Sequence, residues 1–326
     1  SIKKVAVIGS GIMGSRIACH MANIGLDVLL LDITPFKLND AEEKVGLTLE
    51  HPKVKNRIVK DALKATLKAK PASLYRKDFI NRIETGNLTD DIEKISDADW
   101  IIEVVVERLD IKKQVFEKVE QFRKPESIIS SNTSGIPIHM MLEDRSEDFK
   151  TNFLGTHFFN PPRYLELLEI IPTPHTDPEL VEFLMEFGDR HLGKTTVLCK
   201  DTPAFIANRV GVGGILSLFH LVEKRGLLVE AIDKLTGPII GRPKSATFRT
   251  CDVVGLDTLV HVANGLYENC KNDEARASFK LPKYVEKLFE NKWFGDKTKQ
   301  GFYKKTKDEK GKKVILSLDL KSFEYK

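Results

Sequence analysis

The chain has few cysteines, no long apolar run and almost no net charge, and each shortage excludes a class of protein. Its four cysteines are widely spaced among 326 residues and form no Cys-x-x-Cys pair, which argues against a disulfide framework and a cysteine-based metal site. No apolar run approaches the roughly 18 residues that a membrane-spanning helix needs, and no signal-peptide pattern precedes the first apolar run. We therefore expect a cytoplasmic protein with no membrane segment and no metal centre.

The small net charge of +4 is unevenly distributed. Between Glu50 and Ile80, nine basic residues are opposed by only three acidic ones. Such a cluster is typical of a solvated helix face, and it also suits an electrostatic landing site for an anionic substrate tail. Neither a recognition motif nor interleaved aromatic residues accompany the charge, so we do not expect nucleic acid as a partner. The nine bases are Lys53, Lys55, Arg57, Lys60, Lys64, Lys68, Lys70, Arg76 and Lys77.

A glycine-rich turn near the amino terminus is the most informative motif. The apolar run from Val5 to Ile8 leads into Gly-x-Gly-x-x-Gly, a helical segment follows, and a second apolar run ends at Asp32. The three glycines permit a tight turn, close approach of a pyrophosphate and close packing of helix on strand, while the helix N-terminus attracts phosphate. This context predicts a dinucleotide site. The motif residues are Gly9, Ser10, Gly11, Ile12, Met13 and Gly14.

Asp32 bears on the choice of cofactor. A carboxylate at the end of the second strand accepts hydrogen bonds from a ribose 2′-hydroxyl and repels a 2′-phosphate. The nearest following base is Lys37, and no arginine lies close by. Asp32 therefore favours NAD over NADP. Its alternative role is to cap a helix that begins near Pro35.

Length and composition favour a globular protein of two domains, since 41% of the 326 residues are apolar and 30% are charged. Strand-like runs alternate with helical segments as far as residue 200, which is typical of a doubly wound parallel sheet. After that the pattern is helical, with Thr202 and Pro203 typical of a helix start. The predicted fold class is α/β, a Rossmann-type sheet followed by a smaller all-α domain. We predict a Rossmann domain over 1–200 with a helical insertion at about 36–80, a helical domain over 201–303, and a tail or linker over 304–326.

The segment THFFNPPRYLELLEII offers a candidate general base. His157 ends one apolar run, the residues at 160–163 force a reversal, and Glu169 lies in the next apolar run. If the two runs pair, His157 and Glu169 face each other. A glutamate among apolar residues is costly unless it is paired, and its carboxylate would orient the imidazole and fix its tautomer. We expect this pair to act as a general base at neutral pH, although a lone histidine is more often structural.

Two polar segments leave alternatives open. Ser134 lies in SNTSG at the carboxyl end of an apolar strand, where ligands bind in open parallel sheets, but an ordinary turn has the same composition. Asn208 lies in PAFIANR, within the first turns of the predicted helix after residue 200. It is consistent with an exposed helix residue and with a hydrogen-bond donor that faces a cleft.

The sequence resembles the L-3-hydroxyacyl-CoA dehydrogenase family. The resemblance rests on Asp32 and on seven motifs in family order from Gly9 to Tyr303, namely GSGIMG, VVVERL, SNTS, HFFNPP, LLE, PAFIANR and KQGFY. It implies an NAD-binding Rossmann domain followed by a helical domain that forms a homodimer, with the active site between the domains. The implied reaction is oxidation of an (S)-3-hydroxyacyl-CoA thioester to the 3-ketoacyl-CoA, a step of fatty-acid β-oxidation.

The resemblance also implies roles for particular residues. His157 would take the 3-hydroxyl proton while hydride passes from C3 to NAD, and Glu169 would orient its ring. Ser134 would bind the substrate oxygen, and Asn208 would polarise the substrate carbonyl. Besides the glycine-rich turn and Asp32, the implied cofactor-binding residues are Glu107, Lys112, Asn160 and Lys297.

Several features depart from the family pattern. Gly135 follows Ser134 where the family often has a second serine, and Arg163 and Tyr164 replace smaller apolar residues. The segment 45–81 is longer than in the short monofunctional enzymes, so the basic cluster is a candidate CoA site by its charge alone. This insertion resembles that of bacterial proteins in which the dehydrogenase part precedes an enoyl-CoA hydratase part, which implies a fused hydratase as a partner.

Two other functions are also considered. An enzyme that oxidises a small free hydroxy acid or sugar acid needs no CoA site. A non-catalytic module would keep NAD for stability alone, and the presence of His157, Glu169, Ser134 and Asn208 together argues against it.

Overall fold

An eight-stranded sheet runs through the first 205 residues. The computed structural model describes residues 1–326 and divides them into two units, Ser1–Phe205 and Ile206–Lys326. The strands of the sheet are β1 (Lys4–Ile8), β2 (Asp27–Asp32), β3 (Ile83–Asn87), β4 (Trp100–Glu103), β5 (Ile128–Ser131), β6 (Phe153–Phe158), β7 (Leu167–Pro172) and β8 (Thr195–Leu198). Their order is β3-β2-β1-β4-β5-β6-β7-β8, and every neighbouring pair is parallel except β6 and β7.

Helices cover both faces of this sheet, as a doubly wound fold requires. Along β1, Val7 points into a core formed with α1, α4 and α7, whereas Ala6 points into a second core formed with α5 and α6, because successive strand residues face opposite ways. The arrangement confirms the predicted Rossmann-type class. These helices are α1 (Ile12–Asn23), α2 (Asp40–Lys44), α3 (Pro52–Lys55), α4 (Arg57–Lys68), α5 (Leu109–Phe122), α6 (Glu147–Thr151) and α7 (Pro178–Arg190), with 3₁₀ turns at Lys77–Arg82, Ile92–Asp97 and Ile138–Met141.

The insertion between β2 and β3 is helical, as predicted. Its longest helix, α4, buries Val59 and Leu63 in the same core as α1, so the insertion is anchored beside the sheet. Strand β3 was not predicted, because its sequence Ile-Glu-Thr-Gly-Asn contains a single strongly apolar residue. It lies at the edge of the sheet, where a strand needs fewer apolar side chains.

The second unit is mainly helical and has an aromatic core. Phe219 and Phe248 stack with their ring centroids 4.7 Å apart, and Phe302 meets Phe248 edge-on, also at 4.7 Å. The helices are α8 (Ala207–Arg225), α9 (Val229–Leu235), α10 (Phe248–Val254), α11 (Leu256–Asn269) and α12 (Lys283–Glu290), with 3₁₀ turns at Pro238–Ile240, Arg276–Phe279 and Asp296–Thr298. No helix of either unit combines the length and the apolar character that crossing a membrane requires.

Residues 304–326 are folded, where the sequence predicted a tail or linker. They form an antiparallel sheet of β9 (Tyr303–Lys307), β10 (Lys313–Asp319) and β11 (Glu324–Tyr325). The buried Leu318 donates its N–H to the carbonyl of Phe302, at 2.9 Å, which joins this sheet to the aromatic core. The sequence shows only a weak strand-like patch at 314–318, which lies within β10, because lysines are frequent on the exposed face of this sheet.

The helix predicted to begin at Thr202 and Pro203 begins instead at Ala207. Ala204 and Phe205 have φ angles of 61° and 51°, in the left-handed region, so the chain cannot be α-helical there. The side chain of Phe205 is buried in the core formed with α5 and α6. Burial of this ring holds the turn that delays the helix.

Candidate active site

The glycine-rich turn lies between β1 and α1, and its glycines meet different constraints. Gly9 has a φ of 102°, and a Cβ added there would lie 2.5 Å from the carbonyl oxygen of Val104. A Cβ on Gly14 would lie 1.8 Å from the carbonyl oxygen of Gly9. By contrast, a Cβ on Gly11 would have no atom within 4 Å. Gly9 and Gly14 therefore allow neighbouring backbone segments to pack closely where a Cβ would clash, and Gly11 leaves the backbone open to a ligand.

The open side of this turn is the N-terminus of α1. Gly11 occupies the cap position, so no side chain satisfies the first N–H groups of the helix. Ile12 in the first turn is exposed. Free N–H groups and the positive end of the helix dipole fit the pyrophosphate of a dinucleotide.

Asp32 is joined to the glycine-rich turn. One of its carboxylate oxygens accepts hydrogen bonds from the N–H of Ser10, at 2.6 Å, and from the Ser10 hydroxyl, at 2.5 Å. The other oxygen accepts from the N–H of Ile33, at 2.7 Å. The alternative capping role is wrong, because the next helix begins at Asp40 and is capped by Asn39.

A buried ion pair lies behind the ends of β4 and β5. The Lys112 ammonium is 2.8 Å from one carboxylate oxygen of Glu103 and 3.3 Å from Glu107. The other oxygen of Glu103 accepts from the Ser131 hydroxyl at 2.6 Å. Lys112 and Glu103 are at most 1% exposed, so Lys112 contacts these carboxylates rather than solvent. Sequence reasoning missed Glu103, although a glutamate within an apolar run gives the same signal as Glu169.

Glu107 links two loops of the candidate site. It accepts hydrogen bonds from the Thr133 hydroxyl, at 2.5 Å, and from the N–H of Ser134, at 3.0 Å. Burial acts to raise the pKa of Glu107, but the charge of Lys112 and the bonds from Thr133 and Ser134 outweigh it and hold this pKa below its usual value. The structure thus brings together three of the predicted residues, Ser134, Glu107 and Lys112.

His157 and Glu169 face each other across the antiparallel pair of β6 and β7, which confirms the pairing predicted from their spacing. The Nδ1 atom of His157 lies 2.7 Å from a carboxylate oxygen of Glu169. His157 is 6% exposed and Glu169 1%. The rings of Phe159 and Phe205 flank the imidazole, with centroids 4.4 Å and 5.8 Å away. Because the carboxylate engages Nδ1, Nε2 is the nitrogen left to exchange a proton.

Two asparagines support the loops around His157. The side-chain oxygen of Asn132 accepts from the N–H of Phe158 at 2.9 Å, which ties the loop after β5 to the residue that follows His157. The side-chain oxygen of Asn160 accepts from the Arg16 guanidinium at 2.6 Å. Arg16 lies on α1, so Asn160 is held beside the helix that begins at the glycine-rich turn.

The turn between β6 and β7 binds the insertion. The Arg163 guanidinium donates to the carbonyls of Ala72 and Leu74, at 2.8 and 2.7 Å, and lies 4.5 Å from the centroid of the Tyr75 ring. The Tyr164 hydroxyl donates to Ala72 as well, at 3.0 Å. The two residues that depart from the family pattern therefore fasten the turn to residues 72–75.

In the second unit, Asn208 is the second residue of α8 and lines a cavity of about 190 Å³. Lys297 forms an ion pair with Asp257, its Nζ atom 2.5 Å from the carboxylate. Lys297 packs closely against Gly255, which lines the cavity, since a Cβ on Gly255 would lie 2.3 Å from Cε of Lys297. Both predicted residues of this unit are thus next to one cavity.

Comparison with known families covers nearly the whole chain. Residues 4–202 match the family described as "3-hydroxyacyl-CoA dehydrogenase, NAD binding domain". Residues 205–305 match the family described as "3-hydroxyacyl-CoA dehydrogenase, C-terminal domain". The first description agrees with NAD as the predicted cofactor.

The chain is similar to curated proteins of different lengths. A probable 3-hydroxyacyl-CoA dehydrogenase of Bacillus subtilis is 54% identical over 93% of this chain and 38% of the relative. A protein of the same name from Deinococcus radiodurans is 47% identical over 95% of this chain and 85% of the relative. A putative fatty acid oxidation complex trifunctional enzyme of Rickettsia felis is 37% identical over 99% of this chain and 43% of the relative. The chain therefore spans less than half the length of two of these relatives.

Solved structures share the fold over both units. FadB2 of Mycobacterium tuberculosis superposes with a TM-score of 0.74 and 28% identity, covering 93% of this chain and 99% of that one. An (S)-3-hydroxybutyryl-CoA dehydrogenase from Ralstonia eutropha gives a TM-score of 0.72 and 26% identity, covering 92% of this chain and 98% of that one.

Proposed function

The chain belongs to the 3-hydroxyacyl-CoA dehydrogenase family, and we propose that it oxidises (S)-3-hydroxyacyl-CoA to 3-ketoacyl-CoA in fatty-acid β-oxidation. The observation that carries the proposal is the buried pair of His157 and Glu169, with their atoms 2.7 Å apart. A histidine oriented by a carboxylate is suited to removing a hydroxyl proton at neutral pH. The reverse reaction, reduction of the 3-ketoacyl-CoA, uses the same residues.

In this proposal, each residue has a separate task. NAD, when bound, supplies the acceptor for the hydride that leaves C3. Nε2 of His157 accepts the proton of the 3-hydroxyl group, and Glu169 stabilises the imidazolium that results. Ser134 holds the substrate oxygen by a hydrogen bond, and Asn208 polarises the substrate carbonyl. Such donors help most where charge develops on oxygen in a site closed to water.

The cofactor assignment rests on the shape and charge of the turn after β1. Gly11 and the uncapped start of α1 suit the pyrophosphate, and the carboxylate of Asp32 suits an unphosphorylated ribose. We place the remaining contacts on Glu107, Asn160 and Lys297, with Lys112 acting through Glu107, to which it is bonded. The proposed cofactor set also includes the turn residues Gly9, Ser10, Ile12, Met13 and Gly14.

The anionic CoA tail suits the exposed face of α4. Three of the nine bases in the cluster are already paired, namely Lys55 with Glu50 and Asp90, Arg57 with Glu42, and Arg76 with Asp78. Lys60, Lys64 and Lys68 have no ion-pair partner, lie four residues apart along α4 and are exposed, whereas Val59 and Leu63 are buried. Like charges at this spacing destabilise a helix, which favours a role in binding phosphate.

A set of NADH-oxidation measurements tests the reaction and the substrate class. We expect the protein to oxidise NADH with acetoacetyl-CoA and with longer 3-ketoacyl-CoA thioesters, but not with free acetoacetate. Turnover of free acetoacetate would assign the protein to the small hydroxy acid dehydrogenases instead. Absence of turnover with NADH still bound would support the non-catalytic module.

The CoA contact has its own test with a matched control. Changing Lys60, Lys64 and Lys68 together to Gln should raise the KM for acetoacetyl-CoA about tenfold or more, with a smaller effect on kcat, because the phosphates lose their counter-charges. The same change at the exposed Lys310, Lys312 and Lys313 alters the net charge equally and should leave the KM unaltered. Equal effects of the two triple variants would reject α4 as the CoA site.

We also propose a homodimer formed through the second unit, where several apolar side chains are exposed: Leu235, Ile239, Ile240 and Val253. A patch of this kind is typical of an interface between proteins. Light scattering of the purified protein tests the dimer, and a monomer at micromolar concentration would reject it.

The name of the Rickettsia relative supports a further proposal, that a fused enoyl-CoA hydratase works beside this dehydrogenase. Hydratase activity of the natural full-length gene product tests that fusion.

A further inference from the structure

The cavity beside Asn208 lies within the second unit, between α8 and the helices α10 and α11. It has a volume of about 190 Å³. Its walls are mostly aliphatic, with Val212 and Ile215 from α8, Val254 from α10, and Leu259 and Val262 from α11. An engineered apolar cavity of about 150 Å³ can hold a molecule the size of benzene. The space therefore suits a hydrocarbon group of several carbons.

The remaining wall of the cavity has little polar character. Cys251 is buried, and burial raises the pKa of its thiol far above the usual value, so the side chain stays neutral. A buried neutral cysteine behaves as a small apolar residue. Asn208 is the strongest hydrogen-bonding group on the wall, beside the hydroxyls of Thr250 and Thr258. A ligand in this space would therefore meet one amide, two hydroxyls and otherwise mainly hydrocarbon.

The position of the cavity connects it with the proposed substrate. Asn208, which we propose to polarise the substrate carbonyl, forms part of the wall. Gly255, also on the wall, lies against Lys297, which we propose to contact the cofactor. The cavity thus adjoins both residues of the second unit that belong to the proposed site. In a 3-ketoacyl thioester the hydrocarbon chain begins at the carbon next to the keto group.

We infer that this cavity receives the hydrocarbon chain of the acyl group, and that Gly211 keeps it open. The inference rests on the proposed function and adds the acyl-chain site to it. Gly211 lines the cavity, and a Cβ added there would have no atom within 4 Å, so a larger side chain would enter empty space. A glycine inside a helix destabilises it relative to alanine, and no packing contact requires a glycine at 211, so the space left beside Gly211 supports a ligand-binding role for this position.

The test compares two substrates in the dimer or monomer as purified. Each methylene taken out of water strengthens binding by about fourfold. We therefore expect kcat/KM for 3-ketooctanoyl-CoA to exceed that for acetoacetyl-CoA by at least about tenfold in the wild type. Gly211→Leu fills the cavity and should lower this ratio by about tenfold or more. Gly265→Leu is the matched control, since Gly265 also lies in a helix with open space around it but does not line the cavity, and it should keep the wild-type ratio.

A second variant keeps the test valid if Gly211→Leu does not fold. Ile215→Ala enlarges the cavity and should raise kcat/KM for 3-ketodecanoyl-CoA relative to 3-ketooctanoyl-CoA. An unchanged ratio in either folded variant overturns the inference. A changed oligomeric state in Gly211→Leu with an unchanged ratio also overturns it, and indicates that a second copy of the chain covers the cavity. Failure of the wild type to reduce any thioester would reject the proposed function itself. The ratios measured in the variants test only the acyl-chain site, so the two failures can be distinguished.

Discussion

The ammonium group of Lys112 and the carboxylate of Glu103 lie 2.8 Å apart, and neither side chain is more than 1% exposed. Glu103 ends β4, and Lys112 lies on α5, which follows the loop that carries Glu107. The pair therefore fixes this loop from inside the protein. Because Glu107 pairs with Lys112 and accepts the N–H of Ser134, the position of the proposed substrate-binding serine depends on a charge buried inside the protein.

Removing one member of this ion pair should lower the free energy of unfolding substantially. Lys112→Met leaves the Glu103 carboxylate buried without its partner, and breaking a buried ion pair typically costs about 3–5 kcal/mol. The free energy of unfolding in urea measures the loss. Lys113→Met is the control, because the neighbouring Lys113 pairs with Glu143 at the exposed surface, where such pairs contribute about 1 kcal/mol or less. Similar losses in the two variants would mean that the buried pair adds no special stability.

Substitutions of the paired histidine and glutamate should separate chemistry from cofactor binding. His157→Gln should abolish turnover while NADH binding, measured by fluorescence, survives. Glu169→Gln leaves the imidazole misoriented and should lower kcat by about 10² to 10⁴. His175→Gln, at an exposed position, should leave kcat unaltered. Loss of NADH binding in His157→Gln would make this histidine structural, and an unaltered rate in Glu169→Gln would reject the proposed pair.

The residues predicted well from the sequence are those whose partners are close along the chain or mark a local turn. His157 and Glu169 are twelve residues apart around a proline-rich reversal, so their pairing follows from strand register. Gly9 and Gly14 mark a local turn in the same way, since the backbone comes too close at both positions for a Cβ. In such cases the spacing of residues along the chain directly determines which residues meet in the structure.

Contacts between distant segments could not be predicted in the same way. Arg16 binds Asn160 from 144 residues away. Arg163 binds the backbone carbonyls of Ala72 and Leu74, and a carbonyl acceptor has no sequence signature. Phe205 displaced the predicted helix start because tertiary burial of one ring outweighed the local preference of Thr202 and Pro203.

Asp32 should determine the cofactor preference. Asp32→Ala removes both the acceptor for the ribose hydroxyls and the charge that repels a 2′-phosphate. We expect the KM for NADH to rise about tenfold or more and the preference for NADH over NADPH to fall, as measured with acetoacetyl-CoA. Asp40→Ala, at the start of the exposed helix α2, is the control. An unchanged preference in Asp32→Ala would assign this carboxylate only to holding Ser10.

The burial of His20 should make the stability of the folded protein depend on pH. It is buried on α1, its Nε2 lies 3.0 Å from the carbonyl of Leu192, and its Nδ1 has no hydrogen-bond partner. Burial, followed by the charge of Lys194, lowers the pKa of His20 to about 4. The unfolded chain, in which a histidine has a pKa of about 6.5, then binds a proton that the folded protein does not.

Because the folded pKa is the lower one, the contribution of His20 to stability is fully present above about pH 6.5 and is lost as the pH falls through 4. The loss amounts to at most about 1.4 kcal/mol for each pH unit in this window. His20→Gln should therefore flatten the fall in Tm between pH 7 and pH 4.5, although it is less stable at neutral pH. His175→Gln should keep the wild-type slope. A parallel fall in wild type and His20→Gln would show that other groups control the acid sensitivity of this fold.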